Sequence, residues 1–349
     1  MTQFNTTDPV ASPESGTLRP PSSAPRPSPS SRQNPPAHTA AHIKTAAACL
    51  SLLVSAFLVV LKMGAGLLSG SVSVLSDALD SGVDVLAATL AFFSVRAAEA
   101  PADTRHPYGH GKAENLAAAL QALLIFAAAG TIIYQAYRRL VSNALPEHLG
   151  LTAGVMGVSA IIHLVVTRHL WRVAAATESP ALAADARHLS TNILTATGVF
   201  LGLLLIEFTG QAWIDPVIGL VVGGFIFKMG WDLSREAIGH LMDQRLPEEE
   251  IALLRDVLDA EPRVLGYHRV RARRAGSQRH IDLHLLVDPE MSLRAAHELA
   301  EEVEDRIRAA FPGVLVVTHV EPATDEELAV EVSEPGIWKG VRRESRPPS

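Results

Sequence analysis

The sequence predicts a membrane all-α domain, a bundle of six transmembrane helices, followed by a small α+β domain outside the bilayer. Three observations predict it. Six apolar stretches, each near the length of a bilayer span, lie between residues 45 and 229. Charged residues make up only 19% of the 349, sparse across that region and dense after Asp232. From Pro247 onward apolar residues recur first with helical and then with strand periodicity.

Residues 1–40 are rich in Pro, Ser, Thr and Ala, with Pro20-Pro21 and Pro35-Pro36 among them. Such a stretch buries too little apolar surface to offset the entropy of ordering, so it is read as a disordered tail. No apolar core follows a basic start, which argues against a signal peptide.

The spans are expected over residues 45–68, 72–95, 116–137, 149–173, 181–208 and 214–229. A helix crosses roughly 30 Å of hydrocarbon in about 20 residues, and it satisfies its own backbone hydrogen bonds on the way. Frequent Gly and Ala suit close helix packing. Asp215 is read as the N-cap of the last span, with Pro216 as its first helical residue. An even number of spans puts both ends on one side. With that side cytoplasmic, the inner segments hold Lys44, Arg105, Lys112, Arg168, Arg172 and Arg235. The outer loops hold the Arg138-Arg139 pair, a dissent from the positive-inside rule.

The membrane domain is taken as residues 41–235 and the cytoplasmic domain as 236–325, with 326–349 a second loose tail. Within the cytoplasmic domain a helix is expected at 248–259, strands at 264–273 and 280–287, a helix at 293–310 capped by Ser292, and a strand at 314–320. In the second strand His280, Asp282 and His284 alternate with Ile281, Leu283 and Leu285, the period of a half-buried strand. Helix, strand, strand, helix, strand makes a compact α+β layer.

The net charge of −7 argues against nucleic acid as a partner. The single cysteine, Cys49, excludes an internal disulfide and a cysteine cage, so any metal chemistry falls to His, Asp, Glu and Asn. The second span carries Asp77, Asp80 and Asp84, spaced by three and four and therefore on one helix face. A carboxylate at membrane depth costs at least about 2.5 kcal/mol on insertion scales, so such a stripe needs compensation. No Lys or Arg is read in the middle of a span, Arg187 and Lys228 lying near ends. The fifth span offers Asp185, His188 and Asn192 at the same spacing. Facing stripes would bring Asp80, Asp84, His188 and Asn192 together as a first shell for Zn2+, Fe2+, Co2+ or Mn2+. The bland alternative is that the acids line a water-filled crevice or pair with basic residues. A rival from another class, an intramembrane hydrolase with an aspartate dyad, would place one acid on each of two helices. A membrane-anchored metal sensor is a third reading.

In the loop after the second span Asp103, His106 and His110 can converge in a turn tightened by Pro107, Gly109 and Gly111. By spacing alone, two histidines more often make an ordinary polar loop. Isolated histidines on strands are likewise more often surface residues than ligands. His163, midway along the fourth span, reads as a packing histidine ahead of a proton relay.

The stretches Ser76-Asp77-Ala78-Leu79-Asp80 through Asp84, His106-Pro107-Tyr108-Gly109-His110-Gly111-Lys112-Ala113-Glu114 and Ala184-Asp185-Ala186-Arg187-His188, in this order, resemble the cation diffusion facilitator family of divalent metal/proton antiporters. The likeness runs over residues 44–322, with residues 280–287 and 318–322 similar to the family's cytoplasmic domain, a metallochaperone-like fold. The resemblance implies efflux of zinc and/or iron, with cobalt, cadmium or manganese as further cargo. It implies a proton-coupled homodimer alternating access across the bacterial inner membrane, both termini cytoplasmic, with no enzymatic activity and no organic cofactor. It assigns the transport site to Asp80, Asp84, His188 and Asn192 and a second site to Asp103, His106 and His110. Further metal positions fall at His268, His284, His297, His319 and Glu321, and Lys112 with Asp243 matches a dimer interlock. Two departures stand out. Asp80 stands where many zinc transporters of the family carry His, and Asn192 replaces an expected Asp, leaving two formal charges rather than three.

Overall fold

The computed structural model describes residues 37–69, 72–142, 150–211, 213–324 and 340–341. The two tails expected at the chain ends therefore lie outside the described residues, apart from 37–40 and 340–341.

Six long helices form the membrane domain: α1 (Ala37–Ser69), α2 (Val72–Ala98), α3 (Lys112–Ser142), α4 (Gly150–Thr177), α5 (Pro180–Thr209) and α6 (Ile214–Leu241). Five of them contain windows long and apolar enough to cross a bilayer. The sixth, α4, is 28 residues long. Within the described residues each expected span lies inside one helix, and the helices outrun the spans because a helix continues past the hydrocarbon edge. Helix α3 packs along α6, α1 along α2, and α4 along α5, with α2 and α5 meeting in the middle. Phe57, Phe93, Leu123, Phe200 and Phe225 face outward, exposed in the bare chain and suited to contact with lipid. Small residues allow the close approach between helices. At Gly223 of α6 a Cβ would stand 2.6 Å from Ile133 of α3.

The expected cap of the last span is not realised. Helix α6 starts at Ile214 with Trp213 at the N-cap position and no side-chain cap. Asp215 instead accepts from Arg139 at 3.1 Å and is buried. That ion pair takes the charge of one of the two arginines that dissented from the positive-inside rule.

Helix α7 (Glu248–Asp259), strands β1 (Gly266–Ala275) and β2 (Gln278–Val287), helix α8 (Leu293–Ala310) and strand β3 (Leu315–Pro322) follow in the expected order. A two-residue strand, β4 (Gly340–Val341), corrects the reading of everything past 325 as loose tail, since it pairs antiparallel with Gly266 and Tyr267 of β1. The sheet order is β3-β2-β1-β4, with β1 and β2 an antiparallel hairpin and β2 and β3 parallel across α8. Ile251, Leu254 and Leu258 of α7 and Leu299, Val303 and Ile307 of α8 share one core with Ile281, Leu283 and Leu285 of β2. Ser292 caps α8, accepting from the Ala295 amide at 3.3 Å. The alternation in β2 holds for Asp282 but not for His280, which is buried. Tyr108, from the loop between α2 and α3, stands over it with ring centroids 6.1 Å apart.

Candidate metal sites

Helices α2 and α5 turn their polar stripes toward each other. Asp84 is buried, and its Oδ1 lies 3.2 Å from His188 Nε2. Asn192 donates its amide to both Asp84 oxygens at 2.9 Å. Asp80, one turn away on α2, lines the same cavity of about 280 Å³ but stands apart from that hydrogen-bonded trio. The expected four thus share one cavity, with three of them in contact.

Two further residues line this cavity, of which Lys62 escaped the sequence reading. His163 of α4 is buried and lines the cavity, with Nε2 3.8 Å from Asp84 Oδ2 on the neighbouring α2. Lys62 of α1 is also buried. It lies 2.9 Å from Asp77 Oδ2 and donates to Ser81 Oγ at 2.8 Å. The expectation that no basic residue inside a span neutralises the acids is therefore wrong. Lys62 is a single polar residue in an apolar run, which hydropathy averages away. Its signal was its place seven residues before the end of α1, opposite the acids that begin α2.

Asp103, His106 and His110 come together in the α2–α3 loop. Asp103 Oδ1 lies 3.3 Å from His106 Nδ1, and Oδ2 lies 3.4 Å from His110 Nε2. The backbone amides of His106 and Arg105 donate to Asp103 Oδ1 and hold its carboxyl below the usual range. The loop is thus shaped to keep an ionised carboxylate beside two imidazoles.

In the cytoplasmic domain Glu321 collects three histidines. His268 Nε2 lies 2.7 Å from Oε2, His284 Nδ1 lies 2.9 Å from Oε1, and the exposed His319 lies 3.5 Å from Oε1. The parallel register pairs His284 with His319 and the hairpin register pairs His268 with His284, which is why one face of the sheet gathers all three. Burial works to raise Glu321, but the bonds to His268 and His284 outweigh it and keep it low. His297 stands apart on α8, exposed and 3.4 Å from Glu301. Among the described residues, His268, His284 and Glu321 and the loop trio are the sets whose ligand atoms lie within 4.8 Å of one another. Both donor sets suit a zinc-like ion, with imidazole and carboxylate and no thiolate.

Lys112 lies 2.9 Å from Asp243 Oδ1, and Arg273 of β1 reaches the same oxygen at 2.8 Å. The pair thus forms within one chain and ties α3 and the end of α6 to the sheet. Burial would raise Asp243, but the two cations win and hold it low. Around this point the hairpin turn seats against the membrane domain. The Gly276 amide donates to the buried Asn115 Oδ1 at 2.7 Å, and Lys44 Nζ reaches Glu114 at 3.0 Å and Ser277 at 3.3 Å. Glu114, buried among Lys44 and Ser179, therefore acts as an anchor.

Comparison with known proteins fits both halves. A family profile described as the cation efflux transmembrane domain matches residues 48–242, and one described as the cation efflux protein cytoplasmic domain matches residues 246–323. The cation-efflux pump FieF of Shewanella oneidensis is 33% identical over 276 residues, 79% of this chain and 93% of that protein. FieF of Yersinia pestis is 35% identical over 280 residues, covering 80% and 93%. Among solved structures, the metal-bound C-terminal domain of the CzcD transporter from Thermotoga maritima is 33% identical, covering 22% of this chain and 88% of that one, with a TM-score of 0.21.

Proposed function

The chain belongs to the cation efflux family of integral membrane transporters, and we propose on that premise that it exports a divalent transition-metal ion, Zn2+ or Fe2+, by proton-coupled alternating access as a homodimer. The observation that carries the reading is the contact of buried Asp84 with His188 and Asn192 across two facing helices. A carboxylate there has lost its water, and so has an imidazole beside it. A dehydrated divalent ion replaces those missing contacts with ligand bonds, which makes the cavity a better host for a cation than for any neutral solute.

The ion enters from the cytoplasmic side and binds Asp84, Asp80, His188 and the carbonyl of Asn192. Ligands must shed protons to hold metal, so the ion displaces a proton, and His188, the imidazole of the set, is its natural carrier. The bundle then rocks, and protons entering from outside favour release. The loop trio stands at the cytoplasmic boundary as a second metal site, and the Glu321 cluster reports cytoplasmic metal to the membrane domain. A cytoplasmic dimerisation-type domain matched across residues 246–323 supports the homodimer.

The test is metal flux by protein reconstituted in sealed vesicles, with zinc and iron compared. Wild type should carry the ion and Asp84→Ala should lose at least ~100-fold, since removing even an outer-shell partner of a ligand costs about 10–100-fold. Flux indifferent to an imposed pH gradient would remove the proton coupling. Wild-type protein that carries neither ion would remove the transport reading altogether.

A further inference from the structure

The transport cavity holds a cation of its own. Lys62 lines it together with Asp77, Asp80 and Asp84, and its ammonium lies 2.9 Å from Asp77 Oδ2 and 2.8 Å from Ser81 Oγ. Its side chain is 6% exposed, whereas that of Asp77 is 27% exposed. A lysine stem has four rotatable carbons, so its charge can move by several ångströms without backbone change. Asp77 and Asp80 are one helical turn apart on α2, and Ser81 lies between Asp77 and Asp84 on the same helix. The ammonium therefore sits on the same row of groups that would hold the cargo.

We propose that Lys62 is a built-in competing cation, which lowers the affinity of the cavity for a divalent ion and speeds its release at the end of the bundle remote from the cytoplasmic domain. The inference rests on the transport reading above and adds a residue to it. Charge decides the direction. With histidines neutral, three carboxylates and one ammonium give the cavity a net charge of minus two, which one divalent ion cancels. Without Lys62 the net charge is minus three, and the ion is held by an excess of negative charge in a poorly screened space. Position decides where the effect acts. Lys62 is near the last turns of α1 and Asp77 is in the first turns of α2, whereas Asp84, two turns further along α2, faces His188 of α5. As the ion leaves Asp80 and Asp84, the ammonium on its flexible stem swings onto the vacated carboxylates and opposes rebinding. Asn192 fits this scheme, because a neutral ligand there leaves the cavity matched to one divalent ion without a further proton.

A plainer role is available to the same pair, that of fastening α1 to α2, and the two roles predict different signs. The experiment is titration with Zn2+ of the detergent-solubilised full chain, carrying His110→Ala and His268→Ala so that the cavity is read by itself, followed by zinc flux in vesicles. Lys62→Gln should bind Zn2+ at least ~10-fold more tightly and turn over more slowly, with KM and kcat falling together. Asp77→Asn, which removes a carboxylate and leaves the ammonium with no charged partner at that position, should bind at least ~10-fold more weakly. Lys62→Arg keeps the charge and should stay near the parent. A fastening role moves Lys62→Gln and Asp77→Asn in the same direction, and that result overturns the proposal, as does unchanged affinity in either variant. Should Lys62→Gln fail to fold, Lys62→Met keeps the stem and carries the same expectation. Adding Asp84→Ala to the parent separates the two levels: zinc binding that survives it removes the transport site itself, whatever Lys62 does.

Discussion

Asn192 presents the nitrogen end of its amide to Asp84, with both carboxylate oxygens at 2.9 Å. That end is a donor and repels a metal ion, so loading requires the amide to turn and offer its carbonyl oxygen. Asp84 loses two hydrogen bonds as the ion arrives, an opposing step that an aspartate at 192 would not impose. Asn192→Asp should therefore tighten Zn2+ binding by at least ~10-fold at neutral pH. The added carboxylate must shed its own proton, so affinity should also fall more steeply with acid than in the parent. Binding measured between pH 5.5 and 8 checks both, and an affinity ratio that stays at one across that range would sink the argument.

The Glu321 cluster makes a separate prediction about which histidines matter. His268 and His284 already aim ring nitrogens at the Glu321 carboxylate at 2.7 and 2.9 Å, and an ion placed there meets three donors with little rearrangement. Metal that binds only the folded state adds about 2.7 kcal/mol of stability at a hundredfold excess over Kd. The unfolding temperature of the cytoplasmic domain within the full chain should thus rise with zinc. His268→Ala or Glu321→Gln should remove most of the rise, while His297→Ala, on α8 and paired with Glu301, should keep it.

How much of this was legible in the sequence follows from where each signal resides. Helices α7 and α8 were readable to the residue, because their apolar periodicity is local and Ser292 marks a start. The polar stripes of α2 and α5 were readable because carboxylates inside an apolar run have few bland explanations. Lys62 and Asp215 were misjudged for one shared reason: each is defined by a partner on another helix, Asp77 and Arg139 respectively. Spacing along one chain segment carries no information about such partners. His280 failed similarly, since strand alternation takes no account of Tyr108 arriving from a distant loop. His297 matched a family position yet lies on α8 beside Glu301, outside the set of ligand atoms gathered within 4.8 Å of one another.

The seat of the β1–β2 turn on the membrane domain should be sensitive to single atoms. A Cβ on Gly111 would lie 2.4 Å from the Ala275 carbonyl oxygen, and one on Gly276 would lie 2.4 Å from that of Gly111. Gly276 also has φ of +62°, a conformation that alanine strains to adopt. Backbone cannot retreat as a flexible side chain does, so Gly111→Ala should loosen the seat by ~1–3 kcal/mol. Asn115→Ala leaves the buried Gly276 amide unpaired and should cost about 1–3 kcal/mol by a different route. Hydrogen exchange over residues 274–279 should quicken in both variants while residues 281–286, in the domain core, stay protected. Exchange that remains at the wild-type rate in the turn would contradict the seat.

Glu261 gives the cytoplasmic domain a stability that depends on pH in a definite direction. Its carboxylate is nearly buried and accepts from Arg263 Nε at 2.8 Å, with Arg306 at 2.9 Å on the other oxygen. The side-chain bond from Arg263 is the main reason that its pKa falls from 4.5 to about 2, the backbone amide of Arg263 and the charge of Arg306 adding to it against burial. A carboxylate depressed on folding contributes stability that is fully present above its unfolded pKa and disappears as pH falls toward the folded value. The window is therefore pH 4.5 down to about 2. Glu261→Gln should lower stability by ~1–3 kcal/mol at pH 7, since Arg263 and Arg306 lose a charged partner. The gap between parent and variant should then narrow as pH drops from 6 to 3. Denaturant unfolding of the detergent-solubilised chain, followed by hydrogen exchange in α7 and α8, reads that gap directly, and a gap that stays constant over this range would mean the ion pair is not its source.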